Sequence, residues 1–176
     1  MTDTRESKPA RPGTFAHLAF GTGGAIAATV YGTVVAMATL TAAYATERHP
    51  WKLAVIVAST AFVLWIAHLH AHGLSESIEE GHWLTRGNVT AIARRELGIV
   101  LAAAGPVAAL ILGALDVISD SAAVWLAFGI GLLILAVEGF RYGRLERAGI
   151  VATLVAVGTN LGIGLLVVAL KVAVAH

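Results

Sequence analysis

Five long apolar runs constrain this chain more than any motif does. They cover roughly residues 18–45, 51–75, 97–115, 121–143 and 148–174. A helix rises about 1.5 Å per residue, so about 20 apolar residues cross the hydrocarbon of a bilayer. Each run is long enough. A backbone inside hydrocarbon must satisfy its own polar groups, so each run reads as a helix rather than an open strand. The chain is therefore predicted to be an all-α membrane protein, a bundle of five transmembrane helices. Composition agrees: 57% of the 176 residues are hydrophobic, 13% are charged, and mean hydropathy is +0.80. A soluble domain is usually about a quarter charged.

The segments between the runs are short. Residues 1–14, MTDTRESKPARPGT, read as a disordered cytoplasmic tail, and residues 15–176 as one five-helix transmembrane domain. Pro50 suits the opening of the second helix. Asn88 is the expected cap of the third, which enters the bilayer near Leu97, and Asp120 or Ser121 that of the fourth. Pro106 predicts a kinked third helix, with the Ala102 carbonyl left without its donor. Ala43-Tyr44-Ala45 resembles a leader cleavage site. The apolar stretch before it exceeds the about 7–15 residues of a leader, so the first run is read as permanent.

Basic residues set the expected orientation, because cytoplasmic loops carry an excess of them. With five spans, Arg5, Lys8, Arg11, Arg86, Arg94, Arg95, Arg141, Arg144 and Arg147 share one side, against Arg48, Lys52 and Lys171 on the other. This predicts a multi-pass protein of a plasma membrane with its N-terminus in the cytoplasm and its C-terminus outside.

Small residues indicate how the helices meet. Gly24, Ala28, Gly32 and Ala36 recur every four residues on the first helix, and Gly158 and Gly162 form a GxxxG on the fifth. Such spacing lets backbones approach closely. Gly131 offers the fourth helix a similar face. Plain packing within the bundle is the expected role, and contact between protomers of a homo-oligomer is the alternative.

Polar groups at membrane depth are costly and usually mark a site. On the second helix, His72, Ser75, Glu76 and Glu79 fall within roughly 80° of His68, and His70 lies roughly 160° away. The run HLHAH is thus not one cluster. His68 and Glu138 lie equally far along the chain from the outer ends of their helices, at Trp51 and Ser121. This arithmetic places His68, His72, Glu76, Glu96 and Glu138, with Arg95 nearby, in one layer of the cytoplasmic half. Asn160, near mid-membrane, needs an interhelical partner.

Three readings of this layer stay open. It is an ion-pair network that locks the bundle, with His68 paired to Glu138. It is a path for a proton or small cation in a channel or transporter, through His68, His72, Glu76, Glu96, Glu138 and Asn160. Or it is a transition-metal site, with His68 and His72 at i, i+4 and Glu76 or Glu138, the latter preferred, as an oxygen ligand. Ion or proton movement is the expected function, and a structural or partner-binding subunit the alternative.

Other classes lack their residues. The chain has no cysteine, no GxSxG and no phosphate-cradling glycine loop. The Gly-x-Gly-Gly of GTGGAIAATVYG follows no strand. No catalytic residue and, metal aside, no cofactor is predicted. A net charge of +1 gives no signal for nucleic acid, so the expected partners are lipid and further copies of the chain. Three stretches, STAFVLWIAHLHAHGLSE (59–76), RRELGIVLAAAGP (94–106) and LLVVALKVAVAH (165–176), resemble small multi-span inner-membrane proteins of actinobacteria. That resemblance implies a bacterial inner membrane and no particular chemistry.

Overall fold

A computed structural model describes residues 23–80, 85–146 and 149–174. The expected tail 1–14, the start of the first run, His82 and Arg147 lie outside the described residues. So do the side chains of Glu79, Glu80 and Lys171. The described chain is all-helical, with α1 Gly23–Thr46, α2 Pro50–Glu80, α3 Arg86–Glu96, α4 Gly98–Ala114, α5 Asp120–Leu145 and α6 Ile150–Val174.

Among the described residues, four helices are long and apolar enough to cross a membrane: α1, α2, α5 and α6. The expected third span is a bent pair, α3 and α4, turned by about 40° between them, and it makes a fifth crossing only if the pair counts as one. The break falls at Leu97, while α4 runs unbroken through the buried Pro106. Packing explains its position. A Cβ on Gly98 would stand 2.7 Å from Thr29 Oγ1 and 3.1 Å from the Ala25 carbonyl, so the elbow is pressed against α1. α2 is also longer than the run that announced it. Its 31 residues extend about 46 Å, which is longer than the about 30 Å that a crossing of hydrocarbon requires.

The caps differ by a few residues from expectation. Thr85, not Asn88, caps α3, its hydroxyl accepting from the Asn88 N–H. Ser119, not Asp120 or Ser121, caps α5, accepting from the Ala122 N–H at 3.3 Å. Pro50 opens α2 as expected, and His49 Nδ1 accepts from the Trp51 N–H at 3.2 Å. α4 ends in a Schellman motif. Val117 N–H donates to the Leu112 carbonyl at 3.0 Å and Asp116 N–H to that of Gly113 at 2.9 Å. Asp116 takes the left-handed position, φ 56°, that glycine usually fills.

The core sits in one half of the bundle. Met37 and Leu40 of α1, Leu53 and Val57 of α2, Leu110 of α4, and Val124, Phe128 and Leu135 of α5 are all essentially inaccessible. They come from the C-terminal halves of α1 and α4 and the N-terminal halves of α2 and α5, with Leu135 just past the middle of α5. In this up-and-down order those halves share one side. Glycines permit the closest crossings. A Cβ on Gly32 would lie 2.7 Å from the Ile99 Cα, one on Gly139 2.8 Å from the Val157 Cα, and one on Gly131 2.6 Å from the Met37 Sδ. Gly24 faces the Arg95 side chain, and Ala28 and Ala36 are buried. Gly158 and Gly162 are a correction to the expectation. Both are exposed, with nothing within 4 Å of a Cβ, so their GxxxG holds no helix of this chain. Gly164, on another face of α6, is the buried one, against Leu132 and Leu135.

Candidate functional site

The polar side chains gather in the other half, around the α3–α4 elbow. α2 brings two histidines on one face. His68 Nδ1 lies 3.1 Å from the Leu64 carbonyl, and His72 Nδ1 lies 3.1 Å from that of His68. The two rings are 6.1 Å apart. α3 ends on Glu96, which is only 5% exposed. Its Oε1 lies 3.7 Å from His72 Nδ1 and 3.1 Å from Arg95 Nε. Both neighbours of His72 Nδ1 are acceptors, so that nitrogen carries the hydrogen. Trp65 Nε1 donates to the Ala93 carbonyl at 3.2 Å and fastens α2 to α3. α1 closes the group with Tyr31, whose ring lies 5.2 Å from that of His68. A cavity of about 410 Å³ opens among Gly24, Tyr31, His68, His72, Arg95 and Glu96.

The structure thus brings together His68, His72 and Glu96, with Arg95 beside them. Glu138 is not part of this group. It is 4% exposed on α5, and both its oxygens accept from Arg141 Nη1, at 2.7 and 2.9 Å. The expected His68–Glu138 pair is not formed; α2 and α5 barely touch, and each residue has partners of its own. Equal depth had suggested the pair, but depth says nothing about lateral position. Asn160 is elsewhere again, donating from Nδ2 to the Leu135 carbonyl at 3.1 Å and so joining α6 to α5. Glu76 lies one turn beyond His72, and its buried Oε2 has no hydrogen-bond partner. His70 is exposed on the far face, in a groove with Ile66 and Leu74.

For the metal reading, Glu138 stands apart from the His68–His72 pair. Among the described residues no three His, Asp or Glu side chains converge on one point. Tyr31 and Trp65 are the members that sequence reasoning missed. The signal for Trp65 was present, since it continues the His68 face one turn back.

What the group can do follows from its charges. Glu96 and Glu138 are each met by an arginine of their own chain, so neither is left uncompensated. Across the bundle from them, the other half holds a close-packed apolar core whose buried polar member, Thr41, bonds its own helix at the Met37 carbonyl. No family model, curated protein or solved structure matches this chain.

Proposed function

We propose that this chain is a non-enzymatic, multi-pass integral membrane subunit of a bacterial plasma membrane, and that its polar layer locks α1 and α2 to the α3–α4 elbow. The apolar helices are compatible with an integral membrane protein. The resemblance to actinobacterial inner-membrane proteins and the distribution of arginines support the compartment and an N-terminus facing the cytoplasm. The observation that carries the locking role is the Trp65 Nε1 bond to the Ala93 carbonyl between α2 and α3, with His72 facing Glu96 and Tyr31 against His68; both buried carboxylates are paired within their own helices, with Arg95 and Arg141. A group already neutralised offers little to a travelling cation. The exposed Gly158 and Gly162 support a second copy as partner.

A second reading, proton or small-cation movement, is supported by His72 beside Glu96 at the wall of the 410 Å³ cavity. One experiment separates the two. Glu96→Gln and Glu138→Gln proteins are measured for thermal stability and, in liposomes, for proton and cation flux. The locking role predicts a loss of about 1–3 kcal/mol for each, because the buried carboxylate loses its charge-assisted bond to arginine, with no flux in the parent protein. A parent flux abolished by Glu96→Gln supports conduction instead.

A further inference from the structure

A larger cavity lies outside the polar layer. It is a cleft of about 760 Å³ between α1, α5 and α6, a size typical of small-molecule sites. It runs from Glu146, at the end of α5, to Asn160 of α6. Asn160 is eleven positions into α6 and hence about 16 Å along it, near the middle of a bilayer. The walls are mostly apolar, with Val30, Val34 and Ile163 among them. Set into them are Tyr31, Tyr142, Thr159 and Asn160.

These polar groups are underused. Among the described residues, the hydroxyls of Tyr31, Tyr142 and Thr159 form no hydrogen bond, and Asn160 spends only its Nδ2 on the chain, leaving Oδ1 free. Thr153, earlier on the same helix, does bond back to the Gly149 carbonyl, at 3.3 Å. In hydrocarbon no water is at hand, so unused hydroxyls are unfavourable unless something else meets them. Charge narrows what that is. Among the described lining residues none is cationic, and the one carboxylate, Glu146, stands at the mouth. An anionic headgroup would meet no counter-charge there and some repulsion.

We infer that this cleft binds an uncharged lipid with a hydrocarbon tail and a carbonyl-bearing head that accepts hydrogen bonds from the Tyr31, Tyr142 and Thr159 hydroxyls. Lipid-soluble quinones and acylglycerols share this chemistry. Tyr31 gives the site a second consequence. Its ring also packs on His68, so an occupant held by Tyr31 touches the wall of the polar layer. The inference does not rest on the locking role, since it uses a different cavity.

The test is equilibrium binding to the full chain in neutral-lipid nanodiscs, with a decyl-substituted benzoquinone as one probe and monooleoylglycerol as the other. Saturable binding of either at one per chain is expected, and the stronger of the two identifies the source. The Tyr31→Phe, Thr159→Val double variant keeps the shape and removes two donors, and should weaken binding about tenfold. Thr159→Phe, at an exposed position, should fill the cleft and abolish binding while leaving the melting temperature unchanged. Uptake that does not saturate, or that is equal in parent and variants, overturns the proposal. So does displacement of the probe by anionic phosphatidylglycerol at the concentrations at which the neutral lipid displaces it.

Discussion

At the scale of single residues, position within the loop or helix decides what a charged or strained group contributes. Glu47, between α1 and α2, accepts from the Arg48 and His49 N–H groups at 2.9 and 3.0 Å and meets Lys52 Nζ at 2.8 Å. The Lys52 contact first, and then the His49 amide, hold its carboxyl down at about 2. A carboxyl lowered on folding stabilises fully above its ordinary value of 4.5, and that contribution is lost as pH falls through about 2. An NMR titration should find Glu47 well below the ordinary range, and Lys52→Ala should raise it. Asp116 is the opposite case, a side chain in left-handed backbone. Asp116→Gly should raise stability by about 0.5–1 kcal/mol in thermal unfolding. That His70 points away from His68 and His72 could be read from the sequence, because helix geometry fixes it. That Tyr31 meets His68 could not, because it depends on how α1 lies against α2.

At the scale of elements, glycines whose absent side chain makes room for a neighbouring backbone differ from those that face outward. Gly32→Ala forces α1 and the Ile99 backbone apart and should cost about 1–3 kcal/mol. Gly158→Ala meets nothing in the chain and should leave the monomer's stability within about 0.5 kcal/mol. If a second copy packs there, as proposed, Gly158→Leu should lower dimer yield in cross-linking while the monomer melts unchanged. The Gly24–Ala28–Gly32–Ala36 row and the Gly158–Gly162 pair share one four-residue spacing, so spacing alone could not separate them. The same limit applies to the third span. Pro106 is the obvious local signal for a bend, yet the bend is at Leu97, beside Gly98, which packs on Thr29 and Ala25. Gly98 is a poor helix former and so a weak local signal, and the tertiary contact decides that the break falls there and not at Pro106. The long apolar helices themselves were legible, because length and hydropathy depend on nothing outside each segment.

At the scale of the whole molecule, the bundle separates a close-packed apolar half from a half that holds its buried carboxylates. Sequence arithmetic put His68, His72, Glu96 and Glu138 at one depth, since depth is one-dimensional and additive along a helix. It could not show that α2 and α5 scarcely meet, so it joined His68 to Glu138 where the structure gives Glu138 to Arg141. The consequence is two internally neutralised groups rather than one continuous relay. The central claim is therefore that this layer holds the helices together and carries no current. Proton flux into liposomes containing the purified chain, under an imposed potential, tests it most directly. The account predicts flux equal to that of protein-free liposomes. Flux above that level, removed by both His72→Ala and Glu96→Gln in proteins that still fold, would contradict it.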